Sequence, residues 1–168
     1  MNSSVLINIV RFVMLLAAQI LIFNNINFGG YFNPFPYILF IILFPVNGNK
    51  YGLLIVSFFL GLIMDLFLNS GGIHAASCLI IAYLRPTFFK FAFGLSYEYQ
   101  TVKLNEKLSP ERFSFILISV VTHHLVMFLL ETFQFSFFFS LLFNTLLSVV
   151  FTIIFCILII YLFKPKKR

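Results

Sequence analysis

The sequence predicts an all-α membrane protein that crosses the lipid bilayer with five to six helices. Hydrophobic residues make up 61% of its 168 residues and charged residues only 10%, which is too few polar groups to cover a water-soluble surface of this size. The apolar residues also occur in stretches of about 20, the length that one helix needs to cross a hydrocarbon core. Residues 1–168 are therefore predicted to form a single integral membrane domain.

Six apolar segments account for most of the chain. The second is short and holds three prolines, and the sixth is longer than one crossing requires, so five or six helices fit. The segments are Val5–Phe23, Tyr31–Val46, Tyr51–Leu68, Ile73–Phe93, Phe113–Leu130 and Phe135–Phe163. The first lacks a basic start and a small-residue cleavage site, so we expect it to remain as a span rather than to be removed as a signal peptide.

The positive charges can all be placed on one side of the predicted spans. Lys and Arg residues near span ends are retained in the cytoplasm. With a cytoplasmic N-terminus, the inner regions receive all 11 Lys and Arg residues, whereas the outer segments 24–30, 69–72 and 131–134 contain none. This pattern favours six crossings with both termini in the cytoplasm. The basic cytoplasmic tail, residues 164–168, fits an orientation signal that attracts anionic lipid, and no nucleic-acid partner is needed to explain the net charge of +6.

Residues 94–112 are predicted to form a cytoplasmic loop. Near its end, Ser109 is a suitable N-cap, Pro110 a suitable first helical residue and Glu111 an acid in the first turn, so the fifth span is expected to begin there.

Arg85 and Pro86 lie about twelve residues into the fourth segment, roughly 18 Å along a helix. Pro86 lacks a backbone N–H and disfavours helix for the preceding residue, so the span is predicted to break here, with Phe88–Phe93 along the membrane surface. Arg85 is expected near the inner interface, where it either extends to the lipid headgroups or docks against a loop or a partner.

Asp65 is the only carboxylate expected inside a span, where a charge is costly unless it is paired or hydrated. Gly61 lies four residues before it and therefore shares its helix face. A glycine lets a neighbouring backbone approach while the carboxylate points to the same contact. The pair predicts a polar lock between helices or a contact with a partner, and an acid hydrated at the interface is the alternative.

The turn after Asp65 leads into a span that begins with small residues. His74 is followed by Ala75 and Ala76, which permit close packing. The turn is short enough for the His74 side chain to reach Asp65. One His and one Asp without further ligands at suitable spacing do not predict a metal site.

Two histidines, His123 and His124, lie near the middle of the fifth segment, and Glu131 lies at its outer boundary. His124 and Glu131 are seven residues apart and share a helix face. Ionisable groups in series can relay protons across a membrane, and structural hydrogen bonds between helices are the alternative. Cys78 and Cys156 fall within spans, where a thiol behaves as a small hydrophobic group.

Residue patterns typical of enzymes do not occur in the sequence. It has no serine elbow, no His-Glu-x-x-His pair and no glycine-rich phosphate loop. We therefore expect no catalytic residues, no cofactor and a function in binding.

An ordered set of motifs resembles the MreD family of rod shape-determining proteins, in the form found in Bacteroidota-like bacteria. The order of these motifs carries the resemblance, which covers roughly the first half of the chain. They are Gln19, Phe23-Asn24, Gly30-Tyr31-Phe-Asn-Pro34, Tyr37, Pro45, Gly61-x-x-x-Asp65, Gly72-Ile-His74-Ala75-Ala76 and Ala82-Tyr83-Leu-Arg85-Pro86. The second half matches only in hydropathy and in its basic tail, so no residue is carried over from it.

The resemblance implies a non-catalytic scaffold of the bacterial elongation complex, which controls cell shape and side-wall peptidoglycan synthesis in the inner membrane. Members of the family associate with the single-span protein MreC and, through it, with the glycosyltransferase RodA and its penicillin-binding transpeptidase. Their spans resemble those of the substrate-binding subunits of energy-coupling factor transporters, which implies a shared fold. The residues expected to contact a partner or to lock the fold are Gly61, Asp65, His74, Ala75, Ala76 and Arg85. The small-residue faces at Gly61 and Ala75-Ala76 are expected to receive a partner's span.

Two other functions stay open. A small-solute, vitamin-like binding subunit of a transporter would need a polar cavity among its spans. A proton-coupled channel would run from Asp65 to the two histidines and Glu131 of the fifth segment.

Overall fold

The structure, a computed structural model, is a bundle of long helices. It describes residues 3–26, 33–94, 108–131 and 138–163. The helices are α1 (Ser3–Ala18), a π-helical turn (Gln19–Phe23), α2 (Asn24–Ile26), a 3-10 turn (Pro36–Ile38), α3 (Leu39–Ile42), α4 (Lys50–Leu68), α5 (Ile73–Phe93), α6 (Pro110–Glu131) and α7 (Phe138–Leu162). Five stretches are long and apolar enough to cross a membrane: Val5–Ile26, Lys50–Leu68, Ile73–Phe93, Pro110–Glu131 and Leu142–Leu162. The described ranges contain no strand, and the predicted all-α polytopic membrane fold is confirmed.

The second apolar segment, Tyr31–Val46, does not supply a sixth spanning helix. Its described part contains only the 3-10 turn and the four-residue helix α3. The prolines at 34, 36 and 45 explain this, because each lacks an N–H and disfavours helix for the residue before it. Residues 37–42 are nonetheless at most 2% exposed. We refer to residues 33–44 as the central segment.

Gln19 and Thr152 satisfy the backbone at the first end of the central segment. Irregular backbone at membrane depth is tolerated only where the protein supplies its hydrogen-bond partners. Gln19 Nε2 donates to Pro34 O at 3.0 Å, and Gln19 Oε1 accepts from Tyr37 N at 3.3 Å. Phe35 N donates to Thr152 Oγ1 at 3.0 Å. The π-helical turn that contains Gln19 is a helix irregularity that often coincides with a functional position.

Two arginines bind the other end of the central segment. Arg11 Nη1 donates to Leu43 O at 2.8 Å, and Arg85 Nη2 donates to Phe44 O. The central segment therefore runs antiparallel to α1, from the level of Gln19 to that of Arg11, about 12 Å along the helix. The chain is then at the Arg85 end of the bundle when α4 begins.

The other helices alternate in direction. Helix α4 packs on α5, α5 on α6 and α6 on α7. Ser148 of α7 lies beside the last turns of α6. Thr152, four residues later in α7, bonds to His124, which lies further from the end of α6. Helix α7 is therefore antiparallel to α6 and runs towards the Arg85 end of the bundle. Helix α1 therefore begins and α7 ends at the same end of the bundle.

Helix α5 is continuous through Pro86, so the predicted break there was wrong. Packing beyond the proline accounts for the difference: Phe88 and Phe89 are buried, and the Phe89 ring stacks on that of Phe115 with centroids 4.2 Å apart. These contacts hold the last turns of α5 against α6 instead of on the membrane surface.

The predicted start of the fifth span is confirmed, since α6 begins at Pro110 and Ser109 Oγ accepts from Arg112 N at 3.3 Å. Most of the predicted loop 94–112 and the whole basic tail 164–168 lie outside the described residues.

Candidate functional site

The Asp65 carboxylate caps the N-terminus of α5 from the neighbouring helix. The first N–H groups of a helix lack partners within it, and Gly72 before α5 has no side chain to supply one. Asp65 Oδ1 accepts from His74 N and Oδ2 from Ala75 N, both at 2.9 Å. Ser70 Oγ also donates to Oδ1, at 2.6 Å. The carboxylate is thus stabilised by three hydrogen bonds and by the positive end of the α5 dipole, and it locks α4 to α5.

Gly61 brings the backbones of α4 and α5 together one turn before Asp65. A Cβ atom at Gly61 would lie 2.5 Å from both N and Cα of Ala75 and closer still to His74 O. Gly61 and Ala75 are buried and face each other, while Ala76 is half-buried. The interpretation that Gly61 and Ala75 receive a partner's span was therefore wrong, because α5 of the same chain occupies this surface.

A hydrogen-bonded chain of His74, Tyr37 and His123 lies in the middle of the bundle. Tyr37 Oη is 2.8 Å from His74 Nδ1 and 2.9 Å from His123 Nε2. Cys78 Sγ adds a weak contact, 3.7 Å from Tyr37 Oη. The turn would have allowed the His74 side chain to reach Asp65, but Asp65 binds the His74 backbone and the imidazole turns to Tyr37.

The numbers of available donors and acceptors indicate which atoms donate in this series of hydrogen bonds. Tyr37 has one O–H to donate, so at least one of the two imidazoles donates to its oxygen. His123 Nδ1 has no partner among the described residues, and a buried N–H without an acceptor is rarer than an unused acceptor. The favoured arrangement has His123 Nε2–H donating to Tyr37 and Tyr37 donating to His74.

His124 belongs to a second branch that also reaches the central segment. Its Nδ1 is 2.9 Å from Val120 O and must carry a proton, so Nε2 accepts from Thr152 Oγ1 at 3.1 Å. Thr152 Oγ1 in turn accepts from Phe35 N. Both histidines of α6 thus hold the central segment, and no hydrogen bond shown between described residues joins either to Glu131. These contacts favour structural hydrogen bonding over a proton relay.

Arg85 docks on the central segment instead of extending to the lipid headgroups. It is only 6% exposed, and besides Phe44 O its Nη2 reaches Ile42 O at 3.4 Å. Its guanidinium also lies over the Phe89 ring, 4.7 Å from the centroid, in a cation–π contact. Of the two placements expected for Arg85, the contact with a loop of the same chain is the one found.

Three residues of this network were not singled out as site candidates by their chemistry: Gln19, Tyr37 and Thr152. Gln19 could have been recognised from the sequence, since an amide within an apolar span needs a hydrogen-bond partner. Thr152 could not, because a threonine in a helix often bonds its own backbone four residues earlier.

Loss of the Tyr37 hydroxyl should destabilise the protein. Tyr37→Phe leaves His74 Nδ1 without its partner and His123 Nε2 with only the weak 4.0 Å contact to Cys78 Sγ, at a cost of about 2 kcal/mol. For a chain of this size we expect the thermal unfolding midpoint to fall by about 4–8 °C. Maleimide labelling of Cys78 and Cys156 during heating measures this midpoint, because both thiols are 0% exposed in the folded protein.

Tyr51→Phe is the matched control, since Tyr51 is 76% exposed on α4. Its midpoint should equal that of the wild type. An unchanged midpoint for Tyr37→Phe as well would show that the Tyr37 hydroxyl makes no stabilising hydrogen bond.

Fold and site together define the class of protein: a polytopic all-α membrane protein whose polar interior holds an irregular segment between its helices. Within the described ranges, no three His, Cys, Asp or Glu residues are grouped so as to hold a metal ion. No protein-family model matches the chain, and no curated protein or solved structure is significantly similar to it.

Proposed function

We propose that this protein is a non-catalytic scaffold and regulatory subunit of the bacterial elongation complex, which controls cell shape and side-wall peptidoglycan synthesis. It lies in the inner membrane with both termini in the cytoplasm. It binds an MreC-like single-span protein and, directly or through it, a RodA-like glycosyltransferase and a penicillin-binding transpeptidase.

Contacts among the motif residues carry this proposal. Gln19 binds the backbone of Tyr37, and Tyr37 binds His74. Asp65 binds the backbone of His74, and Arg85 binds the far end of the central segment. The motif residues that carry the resemblance thus bind one another and the central segment, as expected of a family signature for one fold.

The distribution of cations supports the proposed orientation. Arg11 and Arg85 bind adjacent carbonyl groups at one end of the central segment, and Lys50 Nζ lies 5.4 Å from the centroid of the Tyr83 ring, two residues before Arg85. Lys and Arg are retained on the cytoplasmic side of membranes, so we assign this end of the bundle to the cytoplasm.

Helix α1 offers the least covered face for a partner's span. Only 11% of the residues in its spanning window are buried, compared with at least 33% in each of the other four spans. Val10 and Val13 are 52% and 55% exposed. Since α5 occupies the Gly61 surface, we assign the MreC-like span to this outer face of α1, where van der Waals packing would hold it.

Detergent co-purification of the tagged chain from its own cells, followed by mass spectrometry, tests the proposal. We expect an MreC-like protein and a RodA-like synthase to be recovered. Val13→Trp should weaken recovery of the single-span partner by about tenfold, which corresponds to 1.4 kcal/mol. Phe59→Trp on α4 is the matched control, because Phe59 is 51% exposed on a different helix. Recovery of a transporter ATPase pair, or of no partner, would contradict the proposal.

A further inference from the structure

A cavity of about 270 Å³ lies at the end of the bundle opposite to Arg85. It is lined by the end of α4, the turn into α5, the last turns of α6, the middle of α7 and the start of the central segment. Its polar lining residues are Asn33, Ser70, His74, Glu131 and Ser148. Glu131 is exposed at the mouth, whereas His74 and Ser148 are buried. Ser70 and His74 take part in the hydrogen bonds described above, whereas Glu131 and Ser148 do not.

Ser148 leaves a hydroxyl unused in the wall of the cavity. It is 1% exposed, and its Oγ has no hydrogen-bond partner among the described residues. Serines within helices commonly bond a carbonyl one turn earlier, as Ser119 Oγ does with Phe115 O at 2.7 Å. Ser148 is thus a residue of the cavity wall whose buried hydroxyl makes no hydrogen bond with any described residue.

The charges around the cavity favour a cation. Glu131 contributes a carboxylate, and none of the described residues that line the cavity is Lys or Arg. Helix α4 ends at Leu68 and α6 at Glu131, so the carbonyl ends of two helices, which carry partial negative charge, border it. The positive N-terminus of α5 is also nearby, but Asp65 already neutralises it.

We propose that this cavity binds the ammonium group of a small amine. The ammonium lies at Glu131 and the carbonyl end of α6, and Phe35 and Phe128 cover the carbon atoms of the ligand. Apolar walls with a few convergent polar groups are typical of small-molecule sites. The same chemistry occurs in the ethanolamine headgroup of a lipid and in a free amine, and the site does not depend on the proposed scaffold function.

Native mass spectrometry of the purified full chain tests this site with three probes. They are dihexanoyl phosphatidylethanolamine, dihexanoyl phosphatidylglycerol, which has the same acyl chains without an amine, and free ethanolamine. We expect the ethanolamine lipid to bind at least about fivefold more tightly than the glycerol lipid. If free ethanolamine displaces that lipid, a soluble amine is sufficient for binding. If free ethanolamine does not displace it, the site requires the lipid headgroup.

Two carboxylates at opposite ends of α6 provide a matched pair of variants. Glu131→Gln should weaken binding of the ethanolamine lipid by about fivefold. Glu111→Gln, at the exposed far end of the same helix, should leave it unchanged. Because Glu131 is exposed, its substitution tests the site without disturbing the core. Equal binding of the two lipids by the wild type, or unchanged binding by Glu131→Gln, would overturn the proposal.

Discussion

Gly61→Ala is expected to lower the thermal unfolding midpoint by about 6–12 °C, as reported by maleimide labelling of the two buried cysteines. The added Cβ would meet the backbone N and Cα of Ala75, which cannot turn away as a side chain can. The two helices would have to separate, and the Asp65 cap on α5 would be strained with them. Overpacking costs about 1–3 kcal/mol where side chains adjust, so we expect about 3 kcal/mol here.

Gly52→Ala provides the control on the same helix. The atoms nearest to a Cβ at Gly52 would be side-chain atoms of Asn49, the closest at 3.7 Å, which is ordinary van der Waals contact. Alanine also favours a helix over glycine by about 1 kcal/mol, so the midpoint should stay the same or rise. Equal midpoints for the Gly61 and Gly52 variants would show that α4 and α5 do not approach as closely as described.

Asp65 is the second position where a large effect is expected. Asp65→Asn keeps the size of the side chain but offers only one oxygen, so either His74 N or Ala75 N loses its acceptor, at a cost of about 2 kcal/mol. Asp65→Leu removes both acceptors and should cost about 3–5 kcal/mol. The unfolding midpoint should therefore be highest for the wild type, lower for Asp65→Asn and lowest for Asp65→Leu.

Glu111→Gln serves as the control for loss of a carboxylate, because Glu111 is exposed. Its midpoint should fall far less than those of the Asp65 variants, because an exposed acid in the first turn of a helix interacts only weakly with the helix dipole. If Asp65→Leu unfolded at the wild-type temperature, the carboxylate would not cap α5, and Asp65 would be free for the partner contact considered from the sequence.

The five long helices and Asp65 could be recognised from the sequence because each rests on a local rule. About 20 apolar residues suffice for a span, and a lone carboxylate inside one needs a partner. The identity of that partner is not a local property. A small-residue face beside an acid looks the same whether its neighbour is another helix of the chain or another protein, so Gly61 and Ala75 could not be assigned correctly without the packing of α5 on α4.

The central segment shows the same limit. It is apolar enough to resemble a span, and its prolines indicate only that a regular helix is disfavoured. What stabilises it comes from far along the chain: the side chains of Gln19 and Thr152 at one end and of Arg11 and Arg85 at the other. Helix α5 likewise continues through Pro86 because tertiary contacts beyond the proline outweigh the local preference.

The polar residues inside the bundle bind one another and so hold the central segment, and a double-mutant cycle between Tyr37 and His123 measures one of these contacts. The two residues are 86 positions apart and meet only if the central segment lies against α6. Tyr37→Phe and His123→Leu together should lower the unfolding midpoint by about 2–4 °C less than the sum of the single changes, a coupling of about 1 kcal/mol. Strictly additive changes would show that the two side chains do not interact and that the central segment is not held against α6 in this way.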